Sequence, residues 1–257
     1  MSGSGPGPGS AGGSDSDSGS AARTRRPDGG ARARRQSGGA RGPRPGALSF
    51  SARELRDLGA AWLALGVAFT LFLFPGIAEA ILRGVVDPVG VGTALGLSLA
   101  TVGVAFLLHE LAHKVVAVRF GQVAAFRADY GMLFLAIMAG LAGFLFAAPG
   151  AVVHRGRITN RENGLIALAG PATNVALAAV FVPIAALGSG FLGGVGSLGV
   201  SINLLLAGFN MIPFGPLDGR KVLDWSKPVF VVAAVPTVGL AALALFGGLP
   251  LVGPGPL

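Results

Sequence analysis

The sequence predicts an all-α polytopic membrane domain, and three observations predict it. Only 12% of the 257 residues are charged and 52% are hydrophobic, whereas soluble domains carry about 25% charged residues. The apolar residues gather in runs approaching or exceeding the roughly 20 needed to cross a bilayer. Short polar or Pro/Gly-containing stretches separate those runs. About five full transmembrane helices are expected, with a re-entrant hairpin and short strand insertions.

The chain divides in two. Residues 1–49 are rich in Gly, Ser and Arg, with eight arginines in residues 1–50 against Asp15, Asp17 and Asp28. Such a tail lacks the apolar surface needed to fold. Arginines among glycines can contact phosphate, but a basic flank before a first span reads better as a topology signal that keeps the amino terminus cytoplasmic. No nucleic-acid partner is expected. The first apolar run comes late and without a cleavage pattern, so no secretory signal is expected either. Residues 50–257 form the membrane domain. The chain has no cysteine, which excludes disulfides and Cys-type metal sites.

The elements follow in order. Ser51 and Glu54 have the spacing of a capping box, and a first span is expected over about Leu58–Phe74, ending at Pro75-Gly76. Glu79 beyond it is expected at the interface. The second span covers about Val91–Val118, with Gly92 and Gly96 offering a small face for close helix packing. Later spans are expected at about Gly164–Leu187, Gly196–Phe214 and Val229–Phe246. The segments Gln122–Tyr130 and Ala151–Ile158 have the character of strands.

The apolar stretch Gly131–Pro149 raises a question of parity. If it crossed fully, Asp218 would lie on the far side from His109 and His113. Arg155, Arg157 and Arg161 would then lie outside, against the excess of positive charge expected in the cytoplasm. A stretch that dips in and returns removes both conflicts, with Gly140 and Gly143 near its tip. Irregular backbone at that depth is tolerated where protein buries it.

The chemistry centres on His109-Glu110-Leu111-Ala112-His113. On a helix, positions i and i+4 share a face, so both imidazoles can hold one ion. Zinc favours such ligands, and a catalytic site leaves a position open for water. Glu110 then suits proton transfer to and from that water. These ionisable residues lie inside an apolar span, where they are costly and usually functional. A third ligand is needed, and Asp218 is a candidate. Pro213 and Pro216 forbid a regular helix before it, so the segment reads as an unwound helix end aiming a carboxylate inward. His154, among arginines, reads as an exposed loop histidine.

Three stretches are similar to the site-2 protease family of intramembrane zinc metalloproteases: His109 to His113, Gly170-Pro171-Ala172-Thr173-Asn174, and Asn210-Met211-Ile212-Pro213 leading to Leu217-Asp218-Gly219. They span a catalytic core of residues 91–220. The resemblance implies a zinc-dependent metalloendopeptidase with one zinc per chain. It implies that Asp218 is the third ligand, that Glu110 is the catalytic acid/base, and that Asn174 lies near the site, where it holds a substrate carbonyl or the developing oxyanion; the alternative role for Asn174 is a helix–helix hydrogen bond. The substrate would be a transmembrane protein, cleaved in or near its span within the plasma membrane, as in regulated intramembrane proteolysis. Strand-like elements near the site would hold it extended. Two other classes compete: a transporter or channel with polar residues along a pathway, and a silent relative that only binds membrane proteins. The first does not explain zinc-protease order, and the second has no need of Glu110.

Overall fold

The computed structural model describes residues 47–144 and 149–246. The expected tail therefore lies almost wholly outside the described residues. Helix α1, Ala52–Leu73, starts at Ser51, whose hydroxyl accepts from the Glu54 amide at 3.1 Å. The capping box is only half made, because Glu54 turns inward. α1 stops before Pro75, which opens the short helix α2, Pro75–Arg83. Glu79 lies on its exposed face, 2.6 Å from Arg83.

The second long element is continuous from Pro88 to Arg119 and 32 residues long. It consists of α3, Pro88–Ser98, a π-helical turn, Leu99–Gly103, and α4, Val104–Arg119. At 1.5 Å per residue it reaches about 48 Å, well past a hydrocarbon core of about 30 Å. The π turn is held from α1. The Trp62 indole donates to the Leu99 carbonyl at 3.1 Å, and its ring occupies the space a side chain at Gly103 would need. A π turn changes the phase of the helix that follows it, here the helix carrying His109 and His113.

Two strands follow the expected positions closely. β1, Val123–Ala128, pairs antiparallel with β2, Gly150–Arg155. Between them lies α5, Tyr130–Leu141, of 12 residues. Its length of about 18 Å is too short to cross. The Asp129 amide donates to the Pro149 carbonyl at 3.0 Å, so the chain leaves and returns at one level. That is the re-entrant geometry parity demanded. Gly140 is not at a tip: it lets α5 press against the Ala68 backbone of α1. Gly143, at φ 77°, follows the end of α5.

Three further long helices complete the domain: α6, Asn160–Leu187, α7, Gly190–Asn210, and α9, Lys227–Leu245, with the short α8, Asp218–Trp225, between the last two. Among the described residues, five helices are long and apolar enough to cross a membrane. α7 ends earlier than the expected Phe214, because Pro213 cannot supply the amide that would continue it. Gly92 and Gly96 do not mediate close packing: a side chain at Gly92 would meet nothing within 4 Å, and one at Gly96 only the Phe191 ring edge at 4.0 Å. The close approaches occur at Gly196 and Gly199, against α6.

One buried ion pair ties the front of the domain together. Lys114 and Glu54 are 2% and 1% exposed and meet at 2.6 Å. The same Glu54 oxygen accepts from the Phe126 amide of β1 at 3.0 Å, and Lys114 also donates to the Ser49 carbonyl at 2.5 Å. α1, α4 and β1 thus share one charge pair. Removing one partner of such a pair strands the other, at a cost of about 3–5 kcal/mol. Glu54→Ala is expected to lower stability by that amount, read as a lower thermal midpoint in micelles, whereas Glu110→Ala should not.

Candidate metal centre

α4 places His109 and His113 on one face, toward Gly170 of α6 and Asp218 of α8, with Glu110 beside them. All three are buried. The two imidazole Nε2 atoms are 2.9 Å apart, and Asp218 Oδ2 lies 3.3 Å from the first and 3.1 Å from the second. Residues 211–217, between α7 and Asp218, are non-helical as expected. Asp218 opens α8, where a carboxylate suits the positive end of the helix dipole. The loop before it turns at Gly215, φ 57°. Gly219 packs so tightly on the Met211 backbone that no side chain would fit. Lys221 holds the other Asp218 oxygen, Oδ1, at 3.2 Å.

The ring orientations are set from behind. His113 Nδ1 faces the Ile166 carbonyl at 2.7 Å, and His109 Nδ1 faces Asn174 Oδ1 at 2.6 Å. Both Nδ1 atoms therefore donate, which leaves both Nε2 lone pairs directed at Asp218. Metal-ligating histidines are held in this way.

Four observations fit a zinc ion here. The donor set is two imidazoles and a carboxylate, with ligand atoms within 4.8 Å of one another. Their spacings of 2.9–3.3 Å approach the roughly 3.3 Å that tetrahedral bonds of about 2.0–2.1 Å require. Gly170 of α6 forms the floor: a Cβ there would stand 2.5 Å from both Nε2 atoms. Finally, Glu110 Oε2 is buried without a hydrogen-bond partner among the described residues, and buried carboxylate oxygens are normally satisfied.

The chain is 40% identical over 202 residues to "Putative zinc metalloprotease MJ0611" of Methanocaldococcus jannaschii, a match covering 77% of this chain and 97% of that one. The chain belongs to this family of zinc metalloproteases. It is also 33% identical over 144 residues to "Putative zinc metalloprotease YwhC" of Bacillus subtilis, covering 48% of this chain and 66% of that protein. No family model matches the chain, and no solved structure matches it with significance.

Within this metalloprotease frame, His109, Glu110, His113 and Asp218 come together, and Asn174 lies behind them. Asn174 is fully buried, and its amide nitrogen donates to the Asn203 side chain at 2.9 Å and the Ala105 carbonyl at 3.3 Å. Both amide hydrogens are thus directed away from a substrate. A cavity of about 170 Å³ opens over the His–Asp cluster. Polar residues outside the expected set also border it, Asn210, Lys221, His154 and Asn163. Asn210 spends one amide hydrogen on the Leu206 carbonyl, 2.9 Å away, and keeps the other. His154 is on β2 and not in an exposed loop. Burial, and then Lys221, hold its imidazole below the ordinary histidine range. Its alternation with Val152 and Gly150 along the strand was the sequence signal for an inward face, masked by the surrounding arginines.

Proposed function

We propose that the chain is an intramembrane zinc metalloprotease that hydrolyses peptide bonds in or near transmembrane segments of membrane-protein substrates, with one zinc per chain. The observation that carries this reading is the coincidence of a buried His109–His113–Asp218 cluster with a Glu110 Oε2 that has no partner among the described residues, with His109, Glu110 and His113 inside a 32-residue apolar element. His109, His113 and Asp218 would hold the ion. When bound, zinc would supply the Lewis acidity that lowers the pKa of a bound water to about 7. Glu110 Oε2 takes the proton of the attacking water and passes it to the leaving amine nitrogen. Asn174 keeps His109 in its ligating tautomer. The role of donor to the substrate carbonyl falls to Asn210, whose free amide hydrogen borders the cavity.

β2 also borders the cavity, and among the described residues it pairs only with β1. Its second edge suits an extended substrate segment added as a strand. A helical substrate hides its peptide bonds, so it must unwind before attack. In this reading the amino terminus is cytoplasmic and the domain sits in the plasma membrane. Because the chain has no cysteine, an Arg157→Cys variant carries a single thiol. It is expected to react with a membrane-impermeant maleimide only from the amino-terminal side, and labelling only from the opposite side defeats this topology.

Purified protein is expected to carry about one zinc per chain under a three-ligand site. Chelation should remove both the zinc and the cleavage of co-reconstituted single-span proteins, and added zinc should restore both. Products mapping within or beside the span support the proposal. Cleavage that persists in fully stripped protein rejects it.

A further inference from the structure

The two asparagines behind His109 form a chain with one direction. His109 Nδ1 donates to Asn174 Oδ1 at 2.6 Å, Asn174 Nδ2 donates to Asn203 Oδ1 at 2.9 Å, and Asn203 Nδ2 donates to the Gly199 carbonyl at 2.8 Å. The chain links α4, α6 and α7, and both asparagines are 0% exposed. Its end is a backbone carbonyl, which can only accept. That forces Asn203 to present its oxygen to Asn174. Asn174 must in turn present its oxygen to His109, and His109 must carry its proton on Nδ1. The Nε2 lone pair is then free to face His113 and Asp218. His113 reaches the same result in one step, since its Nδ1 faces the Ile166 carbonyl directly at 2.7 Å.

We propose that Asn203 is a positioning residue of the metal centre, acting through Asn174 to fix the ligating tautomer of His109. It lies outside every motif of the sequence. An amide has nearly the same shape either way round, so Asn174 alone does not fix the polarity. Without the Asn203 oxygen, the Asn174 amide nitrogen keeps only its longer, 3.3 Å bond to the Ala105 carbonyl, and that contact alone opposes a flip. A flip then turns its NH2 toward His109 and favours the tautomer with the proton on Nε2, which cannot ligate.

The inference rests on the metal-site reading above, and the test separates the two. Full-length protein in micelles is stripped and titrated with cobalt(II), whose visible absorption reports ligation and whose affinity is measured by chelator competition. If the wild-type chain takes up no cobalt, the metal-site reading fails. If it does, Asn203→Leu is expected to weaken cobalt binding about 10-fold, the lower end of the effect of removing an outer partner of a ligand. Asn203→Asp should stay within about 3-fold, because a neutral acid keeps the accepting oxygen and donates its O–H to the Gly199 carbonyl. On an Asn174→Ala background, Asn203→Leu should cost less than about 2-fold more, since residues acting through one another are not additive. A purely structural role would lower the thermal midpoint on both backgrounds and leave cobalt affinity unchanged. Unchanged affinity in folded Asn203→Leu overturns the inference, as does an equal loss on the Asn174→Ala background. If Asn203→Leu does not fold, Asn203→Ala carries the same readings.

Discussion

Glu110→Gln is expected to lower turnover by about 10²–10⁴-fold, the usual contribution of a positioned acid/base, while zinc stays bound. The change is isosteric. It removes a proton acceptor and no ligand atom, because the cluster consists of His109, His113 and Asp218. Contrast with Glu54 sharpens the argument. Both glutamates are buried, but Glu54 meets Lys114 and the Phe126 amide, whereas Glu110 Oε2 meets nothing among the described residues. A buried carboxylate oxygen left without a partner is retained at a cost. Glu110→Gln should therefore leave the thermal midpoint unchanged or raised, and Glu54→Gln should lower it. Zinc content, unfolding and cleavage measured on one preparation decide the matter. Cleavage at wild-type rate in a zinc-loaded Glu110→Gln protein defeats the acid/base assignment. The inactive variant should also retain substrates, which would co-purify as membrane proteins.

The contrast between these two glutamates also shows what could be read from the chain alone. The spacing of His109 and His113 carried their shared face, because helix geometry is local. Parity and charge carried the return of residues 129–149, because crossing number constrains every later element. The rest depended on packing between distant segments. Nothing near Glu54 in sequence announces Lys114, 60 residues on. Ser51 and Glu54 matched a capping box locally, and a long-range ion pair took the side chain instead. His154 stood among arginines whose side chains point away from the cavity that its own strand position faces. Asn174 could be placed near the site, but which way its amide points depends on Asn203, a residue of α7 with no motif of its own. Helix α8 was hidden for a different reason: its eight residues follow two prolines, and a Pro/Gly-rich stretch reads as a turn until the helix it leads into is seen.

Gly170→Ala is expected to weaken zinc binding by about 100-fold, the upper end of what loss of an outer-shell support costs, with activity lost in parallel and the fold kept. In isolation the substitution favours the helix, since Ala exceeds Gly by about 1 kcal/mol within a helix interior, and Gly170 lies inside α6. The obstacle is the site itself. The added carbon would stand 2.5 Å from His109 Cε1, His109 Nε2 and His113 Nε2, close to where zinc bonded at about 2.0–2.1 Å must sit. One ring or the helix has to move. His113 is tied back through the Ile166 carbonyl and His109 through Asn174, both on the same helix α6, so moving that helix away also pulls on the rings' anchors. Neither displacement leaves three ligand atoms converging on one point. Helical circular dichroism and the thermal midpoint should match wild type while chelator competition shows the lost affinity. A Gly170→Ala protein with wild-type zinc affinity would mean that the floor of the site lies elsewhere.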